Sequence, residues 1–123
     1  VSNMTVWSRR DNQDLLIRGQ FTAGTTTATL AKVELGYNGT SGNVTLSSIL
    51  MPSSTYNLLV GDVSTNSTLA GRWNVVANIT YNDSILFGIS TSGTDGLTAR
   101  DGSFAFATGT IISFTARVPI SGW

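Results

Sequence analysis

The 123-residue chain has neither cysteine nor histidine. The first absence excludes disulfides, thiolate nucleophiles and cysteine-ligated metals. The second removes the commonest general base and metal ligand. Together they rule out Ser-His-Asp and Cys-His catalytic sites in this chain. Charge is scarce, with 11% charged residues against about 25% in an average globular protein. Seven basic and seven acidic residues leave no formal net charge. Lys32 and the scattered arginines form no basic run, so nothing steers the chain toward nucleic acid or an anionic lipid surface. No apolar run approaches 18 residues, which argues against membrane insertion by a helix. No signal peptide is visible. The chain opens on Val1 instead of Met, so it is read as a fragment or processed product with something preceding it.

What is present is β-forming. Hydrophobic residues make up 41% of the chain, enough for one core at this length, and the polar remainder is chiefly Ser, Thr, Asn and Gly. No helix-period segment exceeds two turns. Short apolar and β-branched runs alternate with turn residues, and strands are expected at 4–9, 15–21, 29–35, 43–51, 56–60, 72–81, 85–89, 104–107 and 111–118. Residues 10–13 form a tight turn that makes the first two runs a hairpin. In 29–35, Ala31, Val33 and Leu35 share one face while Lys32 and Glu34 share the other, as a half-buried strand requires. Pro52 closes the 43–51 run because it cannot donate to a ladder. Loops are expected at 36–42, 62–68 and 90–102. This pattern predicts one domain over 1–123, an all-β antiparallel β-sandwich of jelly-roll-like form.

Chemistry is sparse. Asp11, Asp14, Glu34, Asp62, Asp83, Asp95 and Asp101 fall mostly in turns, where Asp bonds its own backbone, so a two-carboxylate hydrolase site is disfavoured. Asp95-Gly96 and Asp101-Gly102 do not match a calcium loop. No phosphate-cradling glycine motif occurs. No enzyme activity, cofactor or metal is expected. Six N-x-[ST] sequons, at Asn3, Asn38, Asn43, Asn66, Asn78 and Asn82, follow from the abundance of Ser and Thr, and Asn78 falls within an expected strand. Trp7, Trp73, Phe87, Phe104, Phe106 and Phe114 sit in strands and are assigned to the core. Tyr37, Tyr56 and Tyr81 sit at strand edges or in loops. Exposed tyrosines beside asparagines suit sugar recognition, stacking on a ring face and bonding its hydroxyls. Tyr37 and Asn38 lead the ligand-binding candidates, with Asn66, Asp95 and Arg100 from the other loops.

The two ends carry a recognisable pattern. Trp7-Ser8-Arg9-Arg10 leads through a turn to Gly19-Gln20-Phe21-Thr22-Ala23-Gly24-Thr25, and the chain closes on Ala116-Arg117-Val118-Pro119-Ile120-Ser121-Gly122-Trp123. This resembles the C-terminal head domain of bacteriophage tail-fibre and related virion proteins, over about a fifth of the chain. The resemblance implies a homotrimeric head on an upstream fibre shaft, assembled in the bacterial host cytoplasm and carried on the virion. Its role would be adhesion to a host-surface glycan or protein through multivalent loop contacts. It carries over no receptor-contact residues. A structural virion protein, such as a capsid decoration or fibre-joining domain, and a carbohydrate-binding module or lectin of a secreted protein remain alternatives. Arg9, Arg10 and Arg18 are expected to pair with Asp11, Asp14 or Glu34. Trp123 should pack in its own domain or, with Ile120, against a neighbouring subunit, because a ring left in water forgoes about 1.5–3 kcal/mol.

Overall fold

The computed structural model describes residues 2–25, 32–49, 58–66, 72–90, 98–99 and 107–123. Among these residues the strands are β1 (Ser2–Asp11), β2 (Asp14–Thr22), β3 (Lys32–Glu34), β4 (Gly36–Tyr37), β5 (Thr40–Ser41), β6 (Leu58–Thr65), β7 (Arg72–Ala77), β8 (Ser84–Ser90), β9 (Thr98–Ala99) and β10 (Ile111–Pro119), with a 3-10 turn at Ile79–Tyr81. All strand pairings are antiparallel. The main sheet runs β1-β2-β10-β6-β7-β8-β3, with β9 pairing beside β8, and β4-β5 form a small separate hairpin. The last strand, β10, therefore lies between the opening hairpin and the β6-β7-β8 meander and joins them into one sheet.

Alternation in the sequence sets the faces. In β2, Leu15, Ile17 and Phe21 are buried, whereas Arg18 and Gln20 are exposed. In β10, Ile112, Phe114, Ala116 and Val118 are buried, and Thr115 and Arg117 are exposed. The register aligns these sets, with Phe114 opposite Gly19 and Ala116 opposite Ile17. The sheet then curls over itself to give a sandwich-like fold. Phe87 of β8 lies three strands from β10, yet its ring centroid is 5.5 Å from that of Phe114 and 5.7 Å from that of Phe21. Edge-to-face contacts of this kind add to the area each ring buries. The curl brings β1, one edge of the sheet, against the β4-β5 hairpin that follows the other edge strand, β3: Ser8 Oγ donates to the Gly36 carbonyl at 3.2 Å.

Several sequence expectations are corrected. Residues 43–51 were expected to be a strand; the described part makes only an isolated bridge, Leu46 to Ile120. Its backbone bonds diverge: Leu46 N donates to Asn82 O, while Ser47 N donates to Pro119 O, so no single ladder can form. Residues 62–65 are strand, not loop. Asp62 and Ser64 are the polar face of β6, alternating with the partly buried Val63 and Thr65. The 72–81 run stops at Ala77, where Asn78 caps the 3-10 turn by accepting from Thr80 N at 2.9 Å. The 36–42 loop is the β4-β5 hairpin. Ala31, Phe104 and Phe106 lie outside the described residues.

The two halves of the sheet differ in what covers their backs. On β7 and β8, Val75 and Phe87 face the core, and their neighbours Val76 and Leu86, pointing the other way, are also 0% exposed. That half is buried on both sides. In the other half, β2 and β10 have one face in the core and the other open to solvent, while the edge strand β1 has no buried residue and β6 only partly buried ones.

Candidate functional site

The open face is organised in cross-strand rows. One row reads Trp7, Arg18, Thr115, Asp62, one residue from each of β1, β2, β10 and β6. The next reads Thr5, Gln20, Ser113, Ser64. Side chains directly opposite on adjacent strands are close neighbours, and the four strands span three spacings of about 4.8 Å, roughly 14 Å in all. The two rows line a shallow groove of about 550 Å³. Ser113 Oγ donates to Gln20 Oε1 at 3.2 Å, which orients the amide within the second row.

Trp7 dominates this face. It was assigned to the core from its place in an apolar run; in the structure it is 51% exposed. Alternation puts Trp7 on the face of Thr5 and Arg9, opposite Met4 and Val6, but those two are also about half exposed, because β1 is an edge strand with no buried residue. The guanidinium carbons of Arg9 and Arg18 stand 5.9 and 5.8 Å from the indole centroid. That is the outer limit of cation–π contact, and with both arginines in place Trp7 remains half exposed.

The expected pairing of Arg9, Arg10 and Arg18 with carboxylates is also corrected. Among the described residues the ion pairs belong to Arg117, whose Nε donates to Asp14 at 2.6 Å and whose NH2 group lies 3.1 Å from Asp11. Asp14 lies opposite both Asp11 of β1 and Pro119 of β10, and Arg117, two residues before Pro119 on β10, reaches both acids. The hydrogen bond to Asp14 pushes the Arg117 guanidinium above its ordinary value, so it stays charged throughout the accessible pH range. Arg10 stacks on Trp123 at 4.6 Å and donates from Nε to Asn12 O. Arg9, Arg18 and Asp62 have no ion-pair partner among the described residues.

A second groove of about 540 Å³ runs between Asp14, Arg117 and the β6 segment containing Leu58 and Leu59. Asp14 and Arg117 are committed to each other, Asp62 is shared with the first groove, and the rest of the wall is largely apolar. The Trp7 groove instead offers hydroxyl, amide, carboxylate and guanidinium groups beside an open aromatic ring.

The residues singled out from sequence fall elsewhere. Tyr37 is half-buried, its ring set edge-on to Trp123 with centroids 5.0 Å apart. Asn38 forms the β4-β5 turn with φ 55°. Asn66 ends β6: its Oδ1 accepts from Ile111 N at 2.9 Å and its own N–H donates to Ile111 O. None of the three lines the Trp7 groove. Asp95 and Arg100 lie outside the described residues. Ile120 is 2% exposed within its own chain's core, and Trp123 packs against that core through Tyr37. Among the described residues no three or more Asp or Glu converge to hold a metal ion, and no helix is long and apolar enough to cross a membrane.

Comparison of the chain with protein-family models, curated proteins and solved structures yields no match in any of the three.

Proposed function

We propose that this chain is a non-catalytic adhesion domain that binds a bacterial surface glycan on the open face around Trp7. The observation that carries this is the half-exposed indole, held on a strand and bordered by two rows of hydrogen-bonding side chains. A sugar ring has an apolar face that an aromatic ring can cover and a rim of hydroxyls that Thr5, Gln20, Ser113, Thr115 and Asp62 can bond. Sites for small polar ligands combine such apolar platforms with a few convergent polar groups. Holding them on strands keeps the platform in place without a ligand-induced rearrangement.

The resemblance of the chain ends to tail-fibre heads supplies the setting for this proposal: a homotrimer at the tip of a virion fibre, presenting three shallow grooves. Each groove would bind weakly, and simultaneous engagement would raise the effective affinity without any tight single site. Light scattering on the purified protein measures the trimer directly.

The test of the site is an array of bacterial surface polysaccharides probed with wild-type protein and with Trp7→Ala. Removing an aromatic anchor of this kind costs about 2 kcal/mol or more, roughly thirtyfold in affinity. Trp7→Ala should lose that affinity while still unfolding in one cooperative step, with only a small drop in midpoint, since half of the ring is already in water. Wild-type binding by the Trp7→Ala protein would place the site elsewhere, and absence of any glycan ligand would favour a structural role in a particle.

A further inference from the structure

Resting on the reading of the Trp7 face as a saccharide site, we infer that its ligand is an anionic saccharide, bound with its oxyanion at the Trp7 end of the groove. The observation is the juxtaposition of one accessible indole with two guanidinium groups that have no acidic partner among the described residues. Both are on the same face: Arg9 lies two residues along β1 from Trp7, and Arg18 lies directly across on β2.

In this molecule that juxtaposition is selective. Charged residues are only 11% of the chain, and the other arginines near this hairpin are engaged: Arg117 with Asp11 and Asp14, Arg10 with Asn12 and Trp123. Two cations held within about 6 Å of one ring repel each other, and an anion between them relieves that repulsion. Guanidinium is a planar donor fork that fits a carboxylate or phosphate in two-bond geometry. A sugar carrying either group presents it at the ring periphery. Stacking on the indole would therefore bring it within reach of the flanking arginines.

Asp62 fixes the polarity. It stands at the far end of the same row, two strand spacings or roughly 10 Å from Arg18, about one screening length at physiological salt. At that distance it does not neutralise the arginines. It accepts hydrogen bonds only, so it suits sugar hydroxyls and repels a second oxyanion. The ligand should run from its anionic group beside Trp7, across the Thr115 hydroxyl, to neutral hydroxyls at Asp62.

The experiment uses the intact protein and a panel of bacterial surface polysaccharides, each presented native, carboxyl-reduced and dephosphorylated. Carboxyl reduction turns a uronic acid into the neutral sugar of the same ring geometry. Binding confined to anionic members, weakened by added salt, and lost on one of the two treatments is the expected result, and the treatment that abolishes it names the oxyanion. Arg18→Gln and Arg9→Gln should each weaken binding of the native polysaccharide about tenfold, the scale of one charge-assisted hydrogen bond. Equal binding of native and neutralised forms, or preference for neutral members, would overturn the anionic assignment and leave the saccharide site standing. Binding to no member in any form would remove both.

Discussion

At the residue scale, two kinds of position govern this molecule: those where the backbone needs room, and those where a side chain is left in water. Gly61 is the clearest of the first kind. A Cβ there would run into the Thr115 carbonyl and the Ala116 backbone of the neighbouring strand, neither of which can rotate away. Gly19 is also tight, but its obstacle is the Phe114 ring, which can shift. Gly61→Ala should therefore cost about 3 kcal/mol, the upper end for overpacking, and Gly19→Ala closer to about 1 kcal/mol. Urea unfolding of the two variants checks the ranking, and equal losses would show that β6 can yield at Gly61. Trp7 is the second kind. A tryptophan in an apolar-looking run reads as core on composition alone, and only strict counting of alternation puts it beside Thr5 and Arg9. Its exposure is also what makes it available to a ligand.

At the scale of elements, legibility followed alternation. The strands at 15–21, 85–89 and 111–118 were readable to within about a residue or two, because each alternates or is continuously apolar between clear turn residues. The polar stretch at 62–65 was not, because half of a strand with one wet face is polar by necessity. The 43–51 run failed for the opposite reason. It has the composition of a strand, but its backbone groups are shared between two different neighbours. Asn66 shows how an exposed loop residue can act in the architecture. Its side-chain carbonyl takes the first β10 amide and holds the ends of β6 and β10 together. Asn66→Ala should cost about 1 kcal/mol and speed hydrogen exchange at the Ile111 amide, with little change at the Ala116 amide mid-strand. An unchanged Ile111 rate would show that water replaces the bond at no cost.

At the scale of the whole molecule, β10 decides how folding proceeds. The hairpin β1-β2 and the meander β6-β7-β8 are contiguous in sequence, but they become one sheet only when the last strand enters between them. Most of the contacts in the fold are accordingly long-range in sequence. Such topologies fold slowly, in milliseconds to seconds, and small single domains unfold in one cooperative step. Tryptophan fluorescence and far-UV circular dichroism should therefore trace one coincident urea transition, with refolding on that timescale. Separated transitions would mean that the hairpin and the meander are independently stable.

Much of this was present in the linear chain. The missing imidazole and thiol and the period-2 patterning are local facts, and they are enough to specify β-strands and an apolar core and to exclude imidazole and thiolate chemistry. Alternation says that a strand has two unlike faces. It does not say which of them will be covered a second time, since that depends on how far the sheet curls and which distant segments come to lie on its back. Here the curl closes over Phe21, Phe87 and Phe114 and leaves the other side of β1, β2, β10 and β6 in water. Trp7, Arg18, Thr115 and Asp62 are far apart in sequence, and they form a row only because four strands come into register.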